Sequence, residues 1–169
     1  MKIIRDSLDE FLYKQCHTEL RDSMGNGKWD TSFFCWPSDV RIGITGTVLV
    51  QPVSEELHEQ IDKSLTKHFS DGPKYINFHV YTPNSGLSFH DDGDYNSSGT
   101  IYLNDEWDAS WGGWFIWEDE DTPTKGICKS ILPVGNTLVI PDKQERHMVT
   151  PVSPVCEQFR VAIQIRCKK

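Results

Sequence analysis

The chain has 169 residues, of which 37% are hydrophobic and 11% aromatic, and its formal net charge is −8. This length and composition are typical of one folded domain with a sizeable core, and they exclude a disordered chain. The negative charge argues against a protein that coats nucleic acid, because such proteins usually present a basic face. We therefore expect no nucleic-acid partner.

The cysteines and the apolar runs indicate the compartment. No Cys-x-x-Cys pair occurs, and the five cysteines are Cys16, Cys35, Cys128, Cys156 and Cys167. An odd count without that spacing disfavours a disulfide framework or a zinc ribbon, so we expect reduced cysteines in a cytoplasmic protein. The first residues lack the apolar core of a signal peptide, and no apolar run approaches membrane-spanning length, so no membrane partner is expected.

Two amphipathic helices are predicted in the first 73 residues. In residues 7–22, Ser7 followed by Glu10 matches a capping box. The apolar stripe expected on this helix is Leu8, Phe11, Leu12, Cys16 and Leu20. Ser54 begins the second helix, and the apolar stripe expected on it is Leu57, Ile61, Leu65 and Phe69.

From residue 74 the apolar period changes to two, which is typical of β-strands. Further strands are predicted at 87–91, 99–103, 113–117, 127–132, 137–140, 147–152 and 158–167. Helices followed by many short strands predict an α+β, mainly β fold, with a sandwich or barrel and the helices packed on one sheet. We expect a single domain over 1–169, with helical support over about 1–73 and a strand core over about 74–169.

A possible metal-binding pattern begins with His90 and Asp92, and His147 follows 55 positions after Asp92. On a strand, residues i and i+2 share a face, so His90 and Asp92 can hold one ion while Asp91 points away. Two histidines and one carboxylate form the facial triad of non-heme Fe(II) sites. The alternatives are an acidic surface turn for the first pair and a partly exposed histidine beside Arg146 for the third residue.

Arg160 lies thirteen residues after His147, within an alternating apolar strand. The alternation places it on one face with Ala162, Gln164 and Arg166. An arginine that faces the interior of a barrel is costly unless an anion pairs with it, and a guanidinium matches the two oxygens of a carboxylate. A bound carboxylate is the preferred interpretation, and a buried salt bridge to one of the chain's own acids is the alternative.

These motifs, in this order, resemble the 2-oxoglutarate- and Fe(II)-dependent oxygenases, in particular their prolyl-4-hydroxylase-like branch. The resemblance covers roughly residues 75–167. It rests on Tyr81-Thr-Pro-Asn-Ser-Gly-Leu-Ser-Phe-His90-Asp-Asp92, on the tract from Ile101 to Gly113, on Leu132-Pro-Val-Gly-Asn-Thr-Leu-Val-Ile140, on His147-Met-Val-Thr-Pro-Val152 and on Arg160-Val-Ala-Ile-Gln-Ile165.

The resemblance implies a double-stranded β-helix, also called a jelly roll, in which His90, Asp92 and His147 bind Fe(II). It implies that Arg160 pairs with the distal carboxylate of 2-oxoglutarate, with dioxygen as second co-substrate and ascorbate as a supporting reductant. It also implies that Tyr81 and Tyr102 line the co-substrate pocket, although a tyrosine in a strand is more often a core aromatic.

The substrate is open at the level of sequence. Where the prolyl branch usually carries a tryptophan, this chain has Arg166, a cation that could favour an acidic peptide, the carboxylate of a free amino acid or another anion. The first hypothesis is hydroxylation of a prolyl residue in a protein or peptide, and the second is hydroxylation of a free amino acid or other small molecule. A non-catalytic, cupin-like binding module is the third, which the triad together with Arg160 disfavours.

Overall fold

The computed structural model describes residues 1–26, 28–32, 46–72, 74–93, 95–118, 127–142 and 145–168. Over these ranges the chain forms two α-helices, α1 (Glu10–Met24) and α2 (Glu55–Leu65), and two single turns of 3-10 helix, Thr66–His68 and Ala109–Trp111. The strands are β1 (Lys2–Ile4), β2 (Asp30–Ser32), β3 (Val48–Pro52), β4 (Lys74–Tyr81), β5 (Leu87–His90), β6 (Tyr95–Tyr102), β7 (Phe115–Glu118), β8 (Cys128–Ile131), β9 (Leu138–Ile140), β10 (His147–Val149) and β11 (Arg160–Lys168).

The strands form two antiparallel sheets. The larger has the order β1-β9-β6-β11-β4-β3-β2, and the smaller has the order β5-β10-β7-β8. Aromatic and aliphatic side chains from both sheets pack together between them, among them Tyr81 and Ala162 from the larger and Phe115 and Val149 from the smaller. The predicted α+β, mainly β architecture is thus confirmed, and its central strand β11 lies between β4 and β6.

Both helices cover the outer face of the larger sheet. One buried cluster combines Leu12 and Cys16 of α1 with Ile61 of α2 and with Phe78 and Ile163 of the sheet. The residues of the predicted second stripe are all buried: Leu57, Ile61, Leu65 and Phe69. The first three lie on α2, whereas Phe69 follows the 3-10 turn that ends at His68, so the helix is shorter than predicted. No helix in the described parts of the chain is long and apolar enough to cross a membrane.

The predicted start of α1 is wrong by two residues. Asp9, not Ser7, caps the helix, because its Oδ1 accepts a hydrogen bond from the backbone N–H of Leu12 at 2.9 Å. Phe11 is 72% exposed, which contradicts its assignment to the buried stripe. The physical reason is helical geometry: each residue turns by about 100°, so burial of Leu12 and Cys16 directs Phe11 to solvent.

Three strands also lie in the part expected to be helical support. β1 pairs with β9, and β2 and β3 extend the larger sheet beyond β4. β1 and β2 contain three residues each and β3 five, too few for period two to be read with certainty. The sequence around Gly43 and Gly46 also predicts a strand or loop at 40–50. Residues 40–45 of this range lie outside the described residues, and β3 begins within it at Val48.

The packing of the two helices predicts different costs for two truncations. Ile61→Ala should lower the free energy of unfolding by about 2–5 kcal/mol, because it leaves a cavity beside a fully buried sheet face. Phe11→Ala, a matched change on the exposed side of α1, should alter it by less than about 0.5 kcal/mol. Urea unfolding followed by circular dichroism measures both, and equal losses would contradict the helix orientation.

Candidate functional site

The structure brings His90, Asp92 and His147 together at one end of the smaller sheet. His90 ends β5, His147 begins β10, and the two are direct partners in the antiparallel ladder, with ring centroids 4.3 Å apart. Asp92 follows β5, with Oδ1 3.8 Å from His90 Nε2 and Oδ2 3.6 Å from His147 Nε2. Potential ligand atoms of the three residues all lie within 4.8 Å of one another.

Both imidazoles are oriented by the backbone. His90 Nδ1 lies 2.8 Å from the carbonyl oxygen of Ser88, and His147 Nδ1 lies 2.9 Å from that of Glu145. A carbonyl oxygen only accepts hydrogen bonds, so each Nδ1 carries the proton and each Nε2 keeps its lone pair. The two lone pairs and the Asp92 carboxylate are therefore available to one ion, as in histidine metal sites whose second nitrogen donates to a carbonyl.

The surroundings of His147 favour its neutral form. The side chain is buried and lies parallel to the Phe115 ring, with centroids 5.0 Å apart and planes 17° apart. Burial, with a smaller contribution from His90, lowers the pKa of His147 against the opposing effects of Glu145 and Asp92. A neutral imidazole is the form that binds metal ions.

Asp92, and not its neighbour Asp91, faces the imidazoles. Asp91 Oδ1 accepts a hydrogen bond from the backbone N–H of Gly93 at 2.9 Å and so belongs to the following turn. Asp92 Oδ2 accepts a hydrogen bond from the hydroxyl of Ser98 on β6. The carboxylate is thereby held from the larger sheet, and its other oxygen remains directed toward His90.

Arg160 lies at the start of β11, and only 1% of its surface is exposed. Its Nε donates to the carbonyl oxygen of Gly113 at 2.9 Å, and its guanidinium carbon lies 4.6 Å and 5.1 Å from the ring centroids of Tyr81 and Tyr102. Its Nη2 and the Tyr102 hydroxyl are buried without a hydrogen-bond partner among the described residues.

These unpartnered groups distinguish between the two interpretations of Arg160. No carboxylate of the described residues lies within ion-pair distance of its guanidinium, so the buried salt bridge is not seen there. A buried cation without an anion is costly, and a bound carboxylate would satisfy both Nη2 and the hydroxyl. Burial raises the pKa of Tyr102 to about 12 and also raises that of Tyr81, so both phenols stay protonated donors.

Two other residues, Gly113 and Asn104, help to fix the position of Arg160. Gly113 has φ +63°, and a Cβ there would lie 2.9 Å from Arg160 Cδ, so a glycine is required. Asn104 accepts from the backbone N–H of Val161 at 2.7 Å and donates to the carbonyl oxygen of Phe159 at 2.8 Å. Asn104 thus fixes the backbone on either side of Arg160.

Three residues that position the side chains of the site were not predicted from the sequence: Ser98, Asn104 and Phe115. Ser98 had a usable signal, because it shares a period-two face of β6 with Thr100 and Tyr102. Asn104 and Phe115 had none, since their roles depend on strands that are distant in sequence.

One cavity joins these groups. It is lined by the His90–Asp92–His147 cluster, by Arg160 and Tyr81, and by a polar floor that includes His79, Ser98, Thr100, Gln164 and Arg166. Burial, with smaller contributions from Arg166 and Arg160, lowers the pKa of His79 to about 3, so this residue is neutral. The donor set of two imidazole nitrogens and one carboxylate fits a non-heme iron, and the unsatisfied Arg160 fits an organic carboxylate.

Three of the solved structures that match this chain illustrate the shared fold. A prolyl-4-hydroxylase of Pseudomonas putida aligns with a TM-score of 0.70 and 17% identity over 99% of this chain and 92% of that one. A prolyl hydroxylase of Trichoplax adhaerens, in complex with a hypoxia-inducible-factor peptide fragment, aligns with a TM-score of 0.72 and 15% identity over 99% of this chain and 82% of that one. A non-heme alpha-ketoglutarate-dependent carbocyclase of nogalamycin biosynthesis aligns with a TM-score of 0.62 and 12% identity over 97% of this chain and 77% of that one.

A comparison with curated proteins gave no match. A family model described as the 2OG-Fe(II) oxygenase superfamily matches residues 76–166, which is more than half of the chain and includes the three clustered candidate ligands and Arg160. The similar structures show that the chain shares the jelly-roll fold, and the family model shows that the chain belongs to the 2OG-Fe(II) oxygenase superfamily.

Proposed function

We propose that this protein is an Fe(II)- and 2-oxoglutarate-dependent dioxygenase that hydroxylates a C–H bond, with a prolyl residue of a protein or peptide as the first candidate substrate. The observation that carries this proposal is the shared cavity, in which a His-Asp-His cluster and a buried, incompletely bonded guanidinium face the same space. Ascorbate is proposed as a supporting reductant, and the cytoplasm as the compartment.

Each residue of the site has a proposed task. His90, Asp92 and His147 would hold Fe(II) through three donors and leave the rest of its coordination sphere open. When bound, the iron and 2-oxoglutarate supply the oxidising power that dioxygen alone lacks toward a C–H bond. Arg160 would pair with the distal carboxylate of 2-oxoglutarate, and the Tyr102 hydroxyl would donate to it.

The remaining walls of the cavity would control access of water. Leu87, Phe115 and Val149 supply apolar surface beside the three ligands. Such a lining shields a reactive centre and strengthens the electrostatic contact between Arg160 and its anion. No side chain of the site would have to act as a general base, because the bound cofactor would supply the oxidising chemistry.

The candidate substrates are supported unequally. Two of the similar structures are prolyl hydroxylases, and one of them is bound to a peptide, which favours a prolyl residue in a peptide. A small molecule is the second candidate, because a carbocyclase shares the fold and because Arg166 stands in the cavity. A cupin-like binding module would need no second anion site at Arg160 in addition to a metal cluster.

The first test measures turnover. With Fe(II), 2-oxoglutarate and ascorbate, the protein should release succinate, and mass spectrometry should show a gain of about 16 Da, one oxygen atom, on a prolyl peptide. If only free amino acids gained oxygen, the peptide would be rejected as the substrate in favour of a small molecule. If the protein neither released succinate nor bound metal, the proposed dioxygenase activity would be refuted.

Loss of one ligand should prevent stable metal binding. We expect His147→Ala to weaken binding of Fe(II), or of Co(II) as an inert probe, by more than roughly 100-fold, since loss of even an outer-shell partner costs 10–100-fold. The matched control is His68→Ala, a histidine outside the cavity whose Nδ1 contacts Lys2 Nζ. Anaerobic calorimetry measures both variants, and equal affinities would refute the metal assignment.

Truncation of Arg160 should weaken binding of the co-substrate without weakening binding of the metal. We expect Arg160→Ala to reduce 2-oxoglutarate affinity by about 100-fold or more, because a buried carboxylate would lose its countercharge, while Co(II) still binds. Arg21→Ala, at a site 76% exposed on α1, serves as the control. Unchanged 2-oxoglutarate affinity in Arg160→Ala would show that another group receives the carboxylate.

A further inference from the structure

The turn that carries Asp92 fixes the backbone of this residue but not the orientation of its carboxylate. The carbonyl oxygen of Asp92 accepts a hydrogen bond from the backbone N–H of Tyr95 at 2.9 Å. The N–H of Gly93, within the same turn, donates to Asp91 Oδ1 at 2.9 Å. Rotation of an aspartate carboxylate about its last bond has only a broad, roughly two-fold preference. The plane of the Asp92 carboxylate must therefore be set by a group outside the turn.

Ser98 on β6 supplies that group. Its side chain is buried, and its hydroxyl donates to Asp92 Oδ2. A serine hydroxyl has a single proton, so this donor serves one carboxylate oxygen. Thr100, two residues further along the same face of β6, donates to Gln164 Oε1 at 2.9 Å, so its proton is used elsewhere. The orientation of the Asp92 carboxylate thus depends on the hydroxyl of Ser98.

The strand around Ser98 is held in place by contacts on its other face. Ser97 Oγ accepts from the backbone N–H of Ser70 at 3.2 Å and lies 2.8 Å from Ser70 Oγ. A Cβ on Gly99 would lie 2.7 Å from the Phe69 ring, so the strand packs closely against the segment that follows the 3-10 turn. The position of Ser98 is therefore imposed by the larger sheet and the segment packed on it.

The two oxygens of Asp92 have different surroundings. Oδ2 receives the Ser98 proton and lies 3.6 Å from His147 Nε2. Oδ1 lies 3.8 Å from His90 Nε2, beyond hydrogen-bond distance. Each carboxylate oxygen has two lone pairs, and Ser98 occupies one of those on Oδ2. Oδ1 is therefore the oxygen that can approach an ion without a change in the Ser98 contact.

An unrestrained Asp92 carboxylate would compete with other ligands for the ion. A carboxylate can bind a metal ion through one oxygen or through both. The Asp92 side chain is only 15% exposed, and a polar atom that loses its hydrogen bond in such a place gains by taking another partner. An ion held by His90 and His147 would be that partner for Oδ2. With both oxygens bound, less of the coordination sphere would remain for other ligands.

We propose that Ser98 is a positioning residue whose hydroxyl holds Oδ2 of Asp92, so that Asp92 gives the ion one oxygen, Oδ1, and leaves room for a chelating acid. This proposal rests on the proposed oxygenase function, in which 2-oxoglutarate and the three protein ligands share one ion. The role is indirect, because Ser98 acts through Asp92 and does not bind the ion itself. Its loss should therefore affect the chelating acid more than the metal.

The test measures metal and chelator separately. Calorimetry gives the affinity for Co(II), and then the affinities of the Co(II)-loaded protein for 2-oxoglutarate and for oxalate. Oxalate can chelate the ion but has no distal carboxylate for Arg160. In Ser98→Ala both chelators should bind more weakly by the same factor, roughly tenfold or more, because the second oxygen of Asp92 must leave the ion first. The affinity for Co(II) should fall by less than that factor.

Three further variants assign the effect to the Ser98 hydroxyl. Ser98→Thr keeps a hydroxyl on a residue that suits a strand, and it should restore chelator binding and the visible absorption of bound Co(II), both altered in Ser98→Ala. Ser97→Ala, the matched control, removes the neighbouring hydroxyl that contacts Ser70, and all affinities should stay unchanged. Arg160→Ala should weaken 2-oxoglutarate but not oxalate. Thermal unfolding checks that each variant is folded, and if Ser98→Thr is not, Ser98→Ala against Ser97→Ala decides.

The outcomes separate this role from the proposed activity. Unchanged oxalate affinity in Ser98→Ala would overturn the role, even if Co(II) binding fell by the roughly 10–100-fold that is usual for loss of an outer-shell partner. Failure of the Co(II)-loaded wild type to bind either chelator would overturn it too. Succinate release by the wild type tests the oxygenase alone. Oxalate binding that depends on Ser98, without any succinate, would support the positioning role and refute the oxygenase activity.

Discussion

The candidate site depends on one antiparallel pairing, that of β5 with β10. It places His90 directly opposite His147 and leaves Asp92, two residues beyond the first, within 4 Å of both imidazoles. A register shift of one residue would turn the His147 side chain to the other face of the sheet. β10 also pairs with β7, which stacks Phe115 on His147 and removes rotational freedom from the ring. The geometry of the candidate metal site is thus a consequence of strand register, supported by backbone carbonyls that fix both tautomers.

The second constraint is the burial of Arg160 at the head of the central strand. Its position is determined by groups that are far apart in sequence: the carbonyl of Gly113, the rings of Tyr81 and Tyr102, and the amide of Asn104 on the adjoining backbone. Such a charge destabilises a fold unless an anion compensates it. The incomplete hydrogen bonding of Arg160 and Tyr102 therefore supports our proposal that a ligand carboxylate binds between them, at some expense in stability.

The two faces of β11 have different roles, one in the core and one in the cavity. One face, with Ile163, Ile165 and Cys167, packs against the helices and forms the core. The other presents Arg160, Ala162, Gln164 and Arg166 to the cavity. Ala162 lies between Arg160 and Arg166 on this face and lines the same cavity as His90, Asp92 and His147. In our proposal the co-substrate therefore binds at the Arg160 end of this strand, without any change in the buried face.

Several features were determined by the sequence alone. Chain order placed His90, Asp92, His147 and Arg160 in a recognisable series, and period two in β11 assigned Arg160 and Arg166 to one face, because alternation is a local property of an extended backbone. The tertiary structure decided the rest. The Ser98 bond to Asp92, the Asn104 support of β11 and the stacking of Phe115 join strands distant along the chain. Phe11 was misassigned because a local pattern permits several helix orientations, and only packing against the sheet selects one.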